Sequence, residues 1–312
     1  MGPNVGAIAP LAVVGMDCNL PGAANLEQFE ELLFAGRSGV SELPPARFDL
    51  DLYFDPRRGQ AGKTYTRLGG TVPPTQIDLN FLGLSVEQAR LIDPVHLRFA
   101  EVALRAWRRA GFTRQDPRWQ RTGVFVGHSG ATQNGGGLNL ATQIEEGLDF
   151  LNDLPEFLAL PERSRQTVID TVAARIRASR PRRVPGEVPN YQAYTAASLP
   201  AQLLGLTGPR IVCDAACASS LFAMQQAMTA IRLGRIDAAI VGGATTNGID
   251  NLILFSQSQA CSDKGSCPFD HSASGLISSE GYAAVVVVRE ELARELGLPI
   301  LGLVSGLGIA SD

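Results

Sequence analysis

The chain has 312 residues, 45% of them hydrophobic, and a formal net charge of −4, enough to bury a sizeable core as one large domain or as two fused layers. Charged residues make up 19% and form no block of one sign large enough to suggest a nucleic-acid surface, while no apolar run approaches the roughly 20 residues that span a bilayer. Cys18, Cys213, Cys217, Cys261 and Cys267 form no CxxC pair and no Cys/His cluster with zinc spacing, so no metal is expected.

The odd cysteine count, with no basic secretory start, predicts reduced thiols in the cytoplasm. Gly6 stands where a myristoylation site carries Ser or Thr. In chain order, "LAVVGMD" (11–17) predicts a buried strand. "NLEQFEELLFAG" (25–36) predicts a helix capped by Asn25, with Leu26, Phe29, Leu32 and Leu33 on one face and Gly36 at its end. The stretch 41–80, rich in Pro, Gly and Asp, reads as a long surface connection. A second helix is predicted over 94–111 and a strand at "TGVFVG" (122–127). Residues 139–180 read as helical, broken by Pro155 and Pro161, with 137–162 covering an opening. The basic stretch 175–186 reads as a solvated loop, with docking of an acidic partner as the sharper alternative. "RIVCDAA" (210–216) predicts a strand, followed by a helix from Cys217 to Leu233. Further strands are predicted at 237–243, 281–288 and 299–309. Continuous apolar strands alternating with helices predict an α/β fold, a mixed sheet covered on both faces.

Cys217 stands where a strand gives way to small residues and a helix. A helix start offers unpaired N–H groups and partial positive charge, which favours a thiolate. The same N–H groups can hold an oxyanion after attack on a carbonyl. Ala215, Ala216, Ala218 and Ser219 leave room for a substrate. Free cysteine is more often a buried structural residue, and Cys18, Cys213, Cys261 and Cys267 are read that way.

The neighbours of Cys217 set it apart. "DAACASS" resembles the "DTACSSS" signature of β-ketoacyl synthases, the condensing enzymes of fatty-acid and polyketide assembly. "AVVGMDCNLPG", "GKTYTRLGG", "DPVHLRFAEVALRAW", "TGVFVG", "DAAIVGGATT" and "CSDKGSCPFDHSASGLISSEGYAAVVVV" follow the family's order. The "PFD…ISSEG" wording resembles the iterative polyunsaturated-fatty-acid and enediyne types more than modular synthases. The resemblance implies the N-terminal half of a thiolase-like, two-half fold. Residues 8–291 would form the β-ketoacyl synthase N-terminal domain, and 292–312 would open a truncated C-terminal half. It implies that Cys217 accepts an acyl chain from an acyl carrier protein and that malonyl-carrier protein then loses carbon dioxide and attacks the acyl group. Glu280 would be a buried electrostatic support, and Asp214 and Ala218 would support the nucleophile's turn. The substrates, acyl and malonyl thioesters, would ride on phosphopantetheine, with no resident cofactor. The family also implies a homodimer, paired here through "RIVCDAA".

The pattern breaks at the histidines. The family's decarboxylation uses two, in an "HGTGT" and a later "GH" segment; His96, His128 and His271 stand in neither. The chain stops at "GLGIASD", where the family begins its second half. Self-acylation without condensation is therefore expected. Leu199 replaces a family arginine, and Pro200 weakens the helical reading beside it. One rival class is a serine hydrolase using Ser129 of "GVFVGHSGA", whose fifth elbow position is Ala131 instead of Gly. Another is a non-catalytic dimerising or carrier-docking half-domain. The glycines of 134–140 and 241–248 match neither the dinucleotide nor the P-loop spacing.

Overall fold

The computed structural model describes residues 10–45, 47–133, 144, 146–178 and 190–310. Its strands are β1 (Leu11–Asn19), β2 (Val40–Glu42), β3 (Leu68–Gly70), β4 (Thr122–Gly127), β5 (Arg210–Cys213), β6 (Ala238–Thr245), β7 (Gly281–Arg289) and β8 (Gly302–Val304). The longer helices are α1 (Leu26–Phe34), α2 (Pro94–Arg109), α3 (Glu162–Ala178), α4 (Thr195–Leu204), α5 (Ser219–Arg232), α6 (Ile249–Gln257) and α7 (Glu290–Glu295).

Six strands form one mixed sheet in the order β5-β4-β6-β7-β1-β8. β4 runs parallel to both β5 and β6, whereas β7 is antiparallel to β6 and β1, and β8 to β1. Parallel β5, β4 and β6 therefore end together, and that common edge carries the site. Every residue of β4 is buried, as a doubly covered strand requires. Its side chains alternate between two cores. Val124 and Val126 pack with α2 and α4, and Phe125 packs with Ala223, Met228 and Ile231 of α5. The pleat itself decides which side each residue serves.

The Asp93 carboxylate starts α2 by accepting from Val95 N at 3.0 Å, with Pro94 at the first helical position. α2 lies directly on β1 at Gly15, where an added Cβ would fall 2.3 Å from Ala106 O. Pro200 does not stop α4, which runs through it from Thr195 to Leu204 with Leu199 in the core. Burial in the sheet-facing layer outweighs the one hydrogen bond the ring removes.

Three expectations need correction. The stretch 41–80 is no mere surface connection, because β2 pairs antiparallel with β3 and Leu43, Phe48, Leu50 and Tyr65 build a small core with Leu252 and Cys261. In α1, Asn25 caps as expected by accepting from Gln28 N at 2.9 Å, but Leu33 is exposed and the helix buries no residue fully. The strand read over 299–309 is confined to Gly302–Val304. Of the helical stretch 139–180, residues 139–143, 145, 179 and 180 lie outside the described residues. The described part packs on itself through Ile144, Leu148 and Ala173. Only residues 175–178 of the basic stretch are described.

Candidate active site

The turn between β5 and α5 is built by three short-range contacts. The Asp214 carboxylate accepts from Ala216 N at 3.0 Å. Ser219 Oγ accepts from Ala215 N at 2.9 Å and donates to Ala216 O at 2.6 Å. Together they hold Ala216 at φ +49°, a left-handed conformation uncommon outside glycine. The turn lifts Cys217 to an exposed position. The helix read as beginning at Cys217 begins instead at Ser219, with Ala218 as its N-cap and no side chain bonded to the first turn. The thiol therefore stands just ahead of helix N–H groups that no side chain occupies.

Glycines let the strands come this close. An added Cβ on Gly127 would fall 2.5 Å from Ser220 N and 2.6 Å from the Ser219 carbonyl carbon. The helix start is seated directly on the end of β4. Around it opens a cavity of about 690 Å³, whose wall includes Cys217, Ser129, Ala244, Phe255, Ile277 and Tyr282. A second hollow of about 430 Å³ beside Phe48 and Arg67 has no cysteine, serine or histidine in its lining.

Glu280 belongs to the same cavity wall, yet its carboxylate is fully occupied. Arg47 grips it with two bonds, Nη1 to Oε1 at 2.6 Å and Nη2 to Oε2 at 2.5 Å. Val72 N donates to Oε1 at 2.8 Å and Asn247 N to Oε2 at 3.2 Å. Burial pushes the Glu280 carboxyl upward, but Arg47 and these amides outweigh it and hold the group below the usual carboxylate range. Arg47 was missed in the sequence, where "PPARFD" offers no sign of a partner more than 200 residues away.

The sequence also gave no reason to pair two of the histidines. His96 of α2 and His128, the residue after β4, meet edge to face with ring centroids 5.4 Å apart. Both are buried. Burial, then the nearby His128 ring, pushes His96 down to about 4, and burial lowers His128 as well. His128 Nδ1 lies 2.9 Å from Ala244 O; a carbonyl only accepts, so this nitrogen carries the proton. His271 is exposed and pairs with Asp270. Ser129 is exposed on the cavity wall, and among the described residues it makes no hydrogen bond to a histidine. The hydrolase arrangement of serine bonded to imidazole is not formed.

Among the described residues no group of three or more His, Cys, Asp or Glu side chains gathers as a metal site, and no helix is long and apolar enough to cross a membrane. The site is thus an exposed thiol at a strained turn into a helix, on the shared end of three parallel strands, beside an open cavity. Sheet and helices together define a thiolase-like α/β fold, with the thiol at the shared strand ends. The chain belongs to the β-ketoacyl synthase N-terminal domain family, whose model matches residues 9–293.

Relatives agree with this. The spectinabilin polyketide synthase system protein NorC of Streptomyces orinoci is 32% identical over 308 residues, covering 97% of this chain and 12% of that protein. Mycoketide-CoA synthase of Mycobacterium tuberculosis is 32% identical over 308 residues, covering 97% of this chain and 6% of that protein. Among solved structures, the oxazolomycin ketosynthase domain OzmH KS7 of Streptomyces albus JA3453 superposes with a TM-score of 0.72 at 25% identity, over 95% of this chain and 45% of that one. The ketosynthase from module 6 of the bacillaene synthase of Bacillus subtilis 168 shares the fold, with a TM-score of 0.68 at 24% identity over 94% of this chain and 42% of that one. The chain spans less than half of each solved ketosynthase and about an eighth or less of these two curated relatives.

Proposed function

We propose that this chain is the nucleophile-bearing part of a β-ketoacyl synthase acting in polyketide or fatty-acid assembly. The observation that carries this reading is the exposed Cys217 on its turn into an uncapped helix, opening on the cavity. The Cys217 sulfur attacks the carbonyl carbon of an acyl thioester borne on the phosphopantetheine of an acyl carrier protein. The helix N–H groups stabilise the oxyanion, the carbon–sulfur bond to the carrier breaks, and the carrier leaves as a thiol with the proton Cys217 gives up. The product is an acyl-Cys217 thioester.

Condensation would follow when malonyl-carrier protein loses carbon dioxide and its enolate carbon attacks the acyl group, returning Cys217 to a thiol. That step needs groups that stabilise the enolate. Among the described residues His128 lines the cavity with its ring Nδ1 bonded to Ala244 O and its ring packed on His96, and His271 lies out in solvent, so self-acylation is the reaction proposed for this chain. The edge position of β5, with Arg210 exposed, supports a homodimer formed by pairing that strand with its copy.

The test is to incubate the chain with an acyl-carrier thioester and malonyl-carrier protein and to read the products by mass spectrometry. One acyl group on the chain without a condensed product is expected. A condensed product from the purified chain overturns the assignment to self-acylation, and an unmodified chain overturns the thiol's role.

A further inference from the structure

β4 ends where its ladder closes at Gly127↔Cys213 on one side and Gly127↔Gly243 on the other. His128 takes over from there. Its backbone N–H donates to Cys213 O at 3.0 Å, and its ring Nδ1–H donates to Ala244 O at 2.9 Å. One residue thus ties the end of β5, from which the turn to Cys217 departs, to the end of β6, whose Ala244 forms the cavity wall with Cys217.

A histidine is an expensive way to fill this space. Its Nε2 is buried with no partner, and it packs against the equally buried His96 ring. An apolar ring would fill the same volume without a stranded nitrogen. What such a ring would lack is the donor to Ala244 O. The groups that act on His128 are the His96 ring and the carboxylates of Asp93, at the start of α2, and Asp214, in the nucleophile's own turn.

We propose that His128 is a positioning residue for Cys217. By holding Cys213 O and Ala244 O at fixed separation, it sets where the turn places the thiol relative to the cavity and the first amides of α5. His128 lines the same cavity as Cys217, but its role is carried by the bonds to the two strand ends and not by a bond to the sulfur.

Side-chain isosteres give a sharp test, because an Asn amide can place N–H near the imidazole Nδ1 position and a Gln amide near Nε2. The rate of Cys217 alkylation by iodoacetamide is read by peptide mass spectrometry on the whole chain across pH, together with circular dichroism. This readout does not require ketosynthase activity, so its failure is separate from failure of the proposed function. His128→Asn is expected to keep the wild-type rate and pH profile, whereas His128→Gln and His128→Phe slow alkylation about tenfold or shift its pH profile while the chain stays folded. Equal rates and profiles in all four proteins overturn the proposal. So do an Asn variant as impaired as Phe, a Gln variant that restores the rate, and loss of fold in the Asn and Gln variants alike, which would make the ring a packing element.

Discussion

Arg47 and Glu280 lie 233 positions apart in sequence and meet in a two-pronged ion pair, with the Glu280 side chain wholly buried and Arg47 about one-third exposed. The pair ties the 41–80 stretch to the strand that borders the cavity. Removing one partner strands a buried carboxylate, which destabilises by about 3 kcal/mol or more. Arg47→Ala is therefore expected to lower the urea midpoint strongly, and Glu280→Gln, which keeps shape but loses charge, to lower it less. Equal midpoints in both variants and the wild type would show that the pair carries no stability.

Acid should act through the histidine pair. The folded chain holds His96 down at about 4 from its usual 6.5, so between those values the unfolded chain binds a proton that the folded chain refuses. Stability contributed here is complete above about pH 6.5 and falls as pH drops toward 4, by on the order of 3 kcal/mol. His128 has the same sign. Glu280 adds a loss at lower pH, as its depressed carboxyl is protonated. His96→Gln should remove about one proton from the slope of stability against pH in that window, about 1.4 kcal/mol per pH unit. Denaturant titrations at a series of pH values check it.

Gly127→Ala tests the seating of the helix start. The new methyl would fall within 2.6 Å of the Ser219 backbone, so β4 and α5 must part. Destabilisation of about 1–3 kcal/mol is expected from overpacking, with slower alkylation of Cys217. The same substitution at exposed Gly36, where a Cβ meets nothing within 4 Å but φ is +61°, should affect stability alone.

The sheet and its main helices were legible because their apolar runs and caps are local. "TGVFVG" gives β4 residue for residue, and Asp93–Pro94 marks the start of α2. The start of α5 was not legible to the residue. The reading placed Cys217 on the helix, but Asp214 and Ser219 turn the chain through a left-handed Ala216 and delay the helix by two positions. Side chain–backbone bonds of that kind leave no periodic trace. The 41–80 stretch was misread for a related reason: its Pro and Gly content signals irregular backbone, while the burial of Phe48 and Tyr65 depends on Leu252 and Cys261 far along the chain. Arg47 and the His96–His128 pair were invisible for the same cause, since both are contacts across the fold.

The central claim is that Cys217 is the acyl acceptor. Exposing the chain to a short acyl-pantetheine thioester and mapping the modified residue by peptide mass spectrometry tests it most directly. The account predicts one acyl group, on the peptide that carries Cys217, lost in Cys217→Ala and unaffected in Cys267→Ala, the other exposed thiol. Acylation that persists in Cys217→Ala, or that maps to Ser129 or Cys267, would contradict it.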